Sequence, residues 1–321
     1  MTVTTRRRRT TPSRPVAQAA HLLSAADLGD LGLTMLLNRA ESLRSAHAAR
    51  QLPPLLAGRQ VALLFEKPSL RTRVTFDLAV SMLGGHAVYL GPDEVGIGRR
   101  ETASDVGRNL SRWVDAIVLR TFAHATLVEL AAAASVPVIN ALTDLEHPCQ
   151  ALADLLTLRQ HLGSLRGRRL AFVGDGNNVL HSLLLAGALA GLDLRVATPR
   201  GCEPDPELVD VARRIGRTSG SRILIGHDPV AAVEAADAVY TDAWTSMGAE
   251  HQAAARRALF AGFQVNATLL RGAPDALVMH CLPAHRGEEI SDALLDGPRS
   301  IALDQAENRL YTQAALLAEL V

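Results

Sequence analysis

The chain has 321 residues, 48% of them hydrophobic and 21% charged. That is enough apolar material to bury a large core, and it excludes a disordered protein. Basic and acidic side chains both number 33, which argues against nucleic acid as a partner, because binding a phosphate backbone needs a basic excess.

The alanine- and leucine-rich stretches are broken by charges too often to span a membrane. Three cysteines, at 149, 202 and 281, make neither a disulfide scaffold nor a cysteine zinc site, and they fit a reducing, cytoplasmic compartment. In chain order, Arg6, Arg7, Arg8, Arg9 and Arg14 precede the first acidic residue, Asp27. Such a start fits an organelle transit peptide or a short disordered tail. Pro12 and Pro15 interrupt any amphipathic helix there and favour a tail over 1–17.

From about residue 58, short β-branched runs alternate with longer helical patterns, the rhythm of a parallel α/β chain. Strands are predicted over 60–65, 86–90, 116–119 and 136–140. Helices are predicted from Ser69 to the Gly84-Gly85 pair, from about Ala103, over 124–134 and over 148–161. In the first of these, Leu70, Val74, Leu78 and Met82 recur at near-helical spacing. A polar loop with Gly91, Gly96 and Gly98 follows the second strand, and 163–167 reads as a linker.

The second half repeats the rhythm. Strands are predicted over 169–173, 194–197, 223–225, 238–241 and 276–279, with helices over 179–190, 206–215, 229–236 and about 249–260. A last amphipathic helix covers about 305–320. The fold class is therefore α/β: two doubly wound parallel-sheet lobes, dividing within 145–165, with the active site in the cleft between them.

In open parallel sheets, ligands bind outside the carboxyl ends of the strands, and here those ends carry the unusual polar clusters. The first contains Lys67, the only lysine, followed by Ser69, Leu70, Arg71 and Thr72. A helix capped by Ser69 turns free N–H groups and a partial positive charge outward, and Arg71 adds a planar fork, which suits a phosphate. A solvated capped helix is the plainer alternative. The turn Gly174–Asn178 resembles half of a dinucleotide fingerprint, but a third glycine and a later acid are missing, so NAD is not expected. Its asparagines are substrate contacts or helix caps. His147 is a zinc ligand, a core histidine or a hydrogen-bond donor; with no second ligand at metal spacing, no metal is expected. Cys281, beside His280, is a buried small residue or a reactive thiol.

Together these clusters resemble the aspartate/ornithine carbamoyltransferase family. The likeness runs from about residue 20 to the C-terminus, through 65–73, His147-Pro148-Cys149-Gln150, 242–248, His280-Cys281-Leu282-Pro283 and Ala306-Glu307-Asn308-Arg309. The boxes at 242–248 and 280–283 are similar to those of the ornithine branch. The resemblance implies transfer of the carbamoyl group from carbamoyl phosphate to the δ-amine of L-ornithine, giving L-citrulline and phosphate, with no cofactor.

It further implies that Ser69, Leu70, Arg71 and Thr72 hold the phosphate. Arg120, His147 and Gln150 hold the carbonyl end, and Cys281, the Leu282 backbone and Arg309 close that site. Asn178, Asp242, Ser246 and Met247 bind ornithine. Arg120, His147 and Cys281 take the catalytic roles, Cys281 as partner or acceptor of the δ-ammonium proton. The implied domains are 18–150 for carbamoyl phosphate, 151–303 for ornithine and 304–321 as a helix packing back on the first. The resemblance also implies a homotrimer. A sibling enzyme acting on an acylated ornithine, putrescine or another amine, and a non-catalytic paralogue that only binds carbamoyl phosphate, are the alternatives.

Overall fold

The computed structural model describes residues 21–245 and 250–321. The arginine-rich segment 1–17 lies outside the described residues, as do Ser246 and Met247. A helix, α1 (Gly29–Ala48), leads into β1 (Gln60–Phe65), α2 (Leu70–Met82), β2 (His86–Leu90), α3 (Pro92–Val95), α4 (Ala103–Leu110), β3 (Ala116–Arg120), α5 (His124–Ala133) and β4 (Val138–Leu142). These strands form a parallel sheet in the order β2-β1-β3-β4.

After α6 (Pro148–Leu162) come β5 (Arg169–Val173), α7 (Asn178–Ala190), β6 (Asp193–Ala197), α8 (Pro206–Ser219), β7 (Arg222–Gly226), α9 (Pro229–Val233), β8 (Ala238–Thr241), α10 (Ala253–Leu259), β9 (Leu277–His280), α11 (Asp292–Leu295) and α12 (Ala302–Leu320). The second sheet is also parallel, in the order β7-β6-β5-β8-β9.

The central strands are near-continuous apolar runs because helices cover both of their faces. In β1, for example, every residue after Gln60 is buried. In each sheet the strand order reverses once, between β1 and β3 and between β5 and β8, and the crevices outside these switch points are where an open α/β sheet accommodates ligands. Phe65 and Arg120 are register partners at the first. Asp242 follows β8 at the second.

Helix α6 joins the two sheets and is buried from Pro148 through Leu158, as expected of a helix enclosed on all sides. Helix α12 packs against α1, α2 and α6, so the last residues of the chain lie against its first helices.

The structure departs from the sequence pattern in two places. Helix α1 has no predicted counterpart. It opens with glycines and without a side-chain cap, yet Leu33, Leu36, Leu37, Ala40 and Leu43 form its buried stripe. In α2 the helix is as expected but its apolar stripe faces outward: Leu70, Val74 and Leu78 are 76%, 45% and 51% exposed, while Thr72, Phe76, Ala79 and Val80 are buried. Spacing identifies a stripe but not the side the rest of the fold covers.

Candidate active site

The first wall of the cleft is built where α2 starts. The first amides of a helix have no intrahelical partner. Ser69, with extended backbone, caps α2 by accepting from the Thr72 amide at 3.2 Å, which leaves the Leu70 and Arg71 amides for another acceptor. With its side chain turned outward, Leu70 can contribute only through its backbone.

Arg309, from α12, is buried and grips both neighbouring elements. Its Nη1 donates to Gln150 Oε1 on α6 at 2.6 Å and its Nη2 to Thr72 Oγ1 on α2 at 2.7 Å. Arg120, the last residue of β3, is also buried, and its Nε has no hydrogen-bond partner; nor does Nε of Arg309.

Three guanidiniums therefore share one low-dielectric corner. Burial and then the charges of Arg309 and Arg71 push Arg120 down to about 10, and burial also lowers Arg71 and Arg309. A doubly charged anion would relieve this mutual repulsion.

His147 caps the start of α6 by backbone position, and its amide donates to Ser182 Oγ at 2.9 Å. Burial, followed by Arg309, Arg120 and Arg71, holds its imidazole well below the usual range, so the ring is neutral at pH 7. Its Nδ1 is buried without a partner. A neutral ring beside three cations can donate one N–H without adding a fourth charge.

The second wall is internally bonded. Asp242 Oδ1 accepts from Cys281 Sγ at 2.8 Å and from the Ala243 amide at 2.8 Å, while Oδ2 accepts from Asn177 Nδ2 at 2.7 Å. Asn177 also caps α7 through Oδ1, accepting from the Val179 and Leu180 amides. The turn that carries it requires glycine at 176, because a Cβ there would collide with the backbone of Cys202, Glu203 and Pro204. Arg256 pairs with Asp175 at 2.6 Å and donates to the Trp244 carbonyl, tying this turn to the segment after Asp242.

The sequence singled out Asn178, whose Nδ2 in fact donates to the Thr143 carbonyl at 2.5 Å, leaving its side-chain oxygen as the free group. The residue on Asp242 is its neighbour, Asn177. Cys281 donates its proton, and burial together with the Asp242 carboxylate raises the thiol well above its usual range. The expected acceptor is thus a hydrogen-bond donor. Leu282 has a left-handed φ of 56° and its amide donates to His280 Nδ1 at 2.8 Å, so its carbonyl is the group left for a ligand. The two walls face one another: Asp242 and Cys281 act electrostatically on Arg71 from across the cleft.

Among the described residues, two groups of side chains bring metal-type ligand atoms within 4.8 Å of each other, Asp242/His280/Cys281 and His285/Glu288/Glu289. Spacing in the chain does not reveal the first. His280, however, accepts from Leu282 at Nδ1 and so carries its proton on Nε2, which meets Glu289 Oε1 at 3.0 Å; the ring has no lone pair to offer. In the second group Glu288 pairs with Arg257 at 3.0 Å, and Glu289 engages His280 and the His285 amide through Oε1, while its Oε2 has no hydrogen-bond partner.

Two parallel α/β sheets joined by a buried helix, with clustered arginines facing a carboxylate, define a two-lobed α/β protein able to hold an anion beside a cation. The comparisons narrow this. Residues 20–160 match the aspartate/ornithine carbamoyltransferase carbamoyl-P binding domain, and residues 166–320 match the Asp/Orn binding domain of the same enzymes. An ornithine carbamoyltransferase of Acidothermus cellulolyticus is 53% identical over 305 residues, covering 94% of this chain and 96% of that protein. An anabolic ornithine carbamoyltransferase of Pyrococcus furiosus is 51% identical over 265 residues, covering 82% and 84%. A solved ornithine carbamoyltransferase structure from Pyrococcus furiosus superposes with a TM-score of 0.92 at 46% identity, covering 94% of this chain and 97% of that one. The chain belongs to the aspartate/ornithine carbamoyltransferase family and is a carbamoyltransferase.

Proposed function

We propose that the chain transfers the carbamoyl group of carbamoyl phosphate to the δ-amine of L-ornithine, giving L-citrulline and phosphate in arginine biosynthesis. The observation that carries this reading is the trio of buried Arg120, buried Arg309 and half-buried Arg71 around a neutral His147, with the Asp242 carboxylate opposite.

In this reading the Leu70 and Arg71 amides, the capping residue Ser69, the Thr72 hydroxyl and the Arg71 and Arg309 guanidiniums hold the phosphate. Arg120 and His147 donate to the carbonyl oxygen, on which negative charge builds as the δ-amine attacks. Each such donor contributes about 3–4 kcal/mol to the transition state. Gln150 and the Leu282 carbonyl accept from the carbamoyl amino group. Asp242 pairs with the α-ammonium of ornithine, assisted by Asn178, Ser246 and Met247, so the δ-amine is the end presented for reaction. Cys281 keeps its proton and steadies Asp242. The δ-ammonium loses its proton to the medium before attack, and orientation of two bound substrates supplies much of the remaining rate.

The assay that tests this compares carbamoyl transfer to L-ornithine, N-acetylornithine and putrescine. Citrulline formation from ornithine should dominate; a clear preference for another amine, or no turnover with any, overturns it.

The proposal includes a cytoplasmic homotrimer. The outward stripe Leu70, Val74 and Leu78 on α2 supports an interface with a second copy of the chain. Three free cysteines fit a reducing compartment, and among the described residues no helix is long and apolar enough to cross a membrane. Leu78→Glu should abolish the trimer in sedimentation while leaving the far-UV spectrum intact; an unchanged trimer removes this face from the interface.

A further inference from the structure

Beneath the arginine cluster, Asp154 on α6 is completely buried and accepts three hydrogen bonds. Gln150 Nε2 and Gln305 Nε2 both donate to Oδ1 at 2.8 Å, and the Tyr240 hydroxyl donates to Oδ2 at 3.0 Å. The donors come from α6, α12 and β8, so one carboxylate joins the bridging helix, the returning helix and the second sheet.

A glutamine amide has one donating end and one accepting end. Because Gln150 gives its NH2 to Asp154, its Oε1 is the end that meets Arg309, accepting from Nη1 at 2.6 Å. With the amide reversed, NH2 would face the guanidinium and the carbonyl would face the carboxylate. That is donor against donor and acceptor against acceptor in a site without bulk water. The carbonyl oxygen has a second lone pair, which stays available on the cleft side.

We propose that Asp154 is a positioning residue: its carboxylate fixes the Gln150 amide with the oxygen toward the cleft, so that the site selects a ligand bearing an N–H donor beside its carbonyl group. The inference rests on the proposed function, in which that donor is the amino group of carbamoyl phosphate. Acetyl phosphate, which has a methyl group in its place, would leave the oxygen unmet, and a site built to hydrogen-bond an N–H discriminates strongly against an analogue lacking it.

The cost of the arrangement agrees with a role in the site. Burial raises the Asp154 carboxyl to about 6 in spite of its three donors, so at neutral pH the fold carries a charge that burial disfavours. Residues that organise a site often lower stability in this way.

Binding of carbamoyl phosphate and acetyl phosphate is measured on the full-length protein, on Asp154→Ala, Asp154→Leu, Asp154→Asn and Gln150→Ala, and on the Asp154→Ala/Gln150→Ala double variant, with circular dichroism confirming the fold of each. The parent should prefer carbamoyl phosphate. Gln150→Ala and Asp154→Ala should each cut that preference ~10-fold or more. The double variant should lose no more than Gln150→Ala alone, since Asp154 acts through Gln150.

A purely structural Asp154 would weaken both ligands alike and leave their ratio unchanged. If Asp154→Ala does not fold, Asp154→Leu, close to aspartate in size and without an acceptor, carries the same comparison, whereas Asp154→Asn, whose Oδ1 can still accept from Gln150, should keep the preference. A folded Asp154→Ala or Asp154→Leu that keeps the parental preference overturns the inference, as do losses that add in the double variant. A parent that binds no carbamoyl phosphate overturns the proposed function instead.

Discussion

The two walls of the cleft are built on opposite principles. The first, from α2, the end of β3, the start of α6 and Arg309, gathers like charges and leaves polar groups unused: the donors Nε of Arg120 and Nε of Arg309, and the ring nitrogen Nδ1 of His147, are all buried without partners. The second, around Asp242, is already satisfied by Asn177, Cys281 and the Ala243 amide. Unmatched buried donors are costly, and they are tolerated where a ligand supplies the missing acceptors. A pre-bonded carboxylate instead exchanges partners when a cation arrives. The difference teaches that the anion site is a fixed mould whose value lies in catalysis, whereas the amine site trades one set of bonds for another and is worth mainly affinity.

The comparison predicts unequal consequences for substitutions. The largest belongs to the first wall: Arg120→Ala should lower kcat by about 10²–10³-fold, the loss expected for one donor to a developing oxyanion. Steady-state kinetics showing less than a tenfold fall would remove Arg120 from the carbonyl oxygen.

On the second wall, Asp242→Asn should raise the KM for ornithine by ~10–100-fold, the worth of a charged hydrogen bond, with the KM for carbamoyl phosphate within about twofold. Equal effects on both substrates would erase the distinction between the walls.

The smallest effect is expected for Cys281→Ser, which keeps a donor on Asp242 and should change kcat by less than ~10-fold. The same variant carries the pH test. His147 is neutral throughout, and Cys281 remains a thiol well above its usual range. The group that must deprotonate is therefore the incoming ammonium, with an ordinary value of about 10. In parent and variant alike, kcat/KM for ornithine should rise ~tenfold per pH unit from 7 to 9. A plateau in the parent that the serine variant lacks would restore an acceptor role to the thiol.

Much of the candidate site was legible because its residues sit in short runs at strand ends, where the topology of a parallel sheet concentrates ligand contacts. Ser69 to Thr72, Arg120, His147 with Gln150, and Cys281 with Leu282 are of this kind. Asp154 and Tyr240 were not legible. One lies in the middle of a buried helix and the other inside a strand, where a polar residue in sequence looks like any core substitution. That Asn177, and not Asn178, donates to Asp242 was not legible either, because two adjacent asparagines at a helix start are equivalent in sequence, and only the direction of each side chain tells them apart. Helix α1 was missed because its opening glycines mask a sound apolar stripe.

The linear order of residues by itself determined the alternation of strands and helices, the two-part α/β organisation and the polar strand ends, since each depends on periodicity and on neighbours a few positions apart. Tertiary structure decided what depends on contacts between distant segments. It placed Arg309 between Thr72 and Gln150, turned the α2 stripe outward, made the Cys281 thiol a donor to Asp242 and set the Gln150 amide on Asp154. The physical reason is that the direction of a hydrogen bond, the charge state of a buried group and the covered face of a helix are all set by what lies opposite, and what lies opposite comes from elsewhere in the chain.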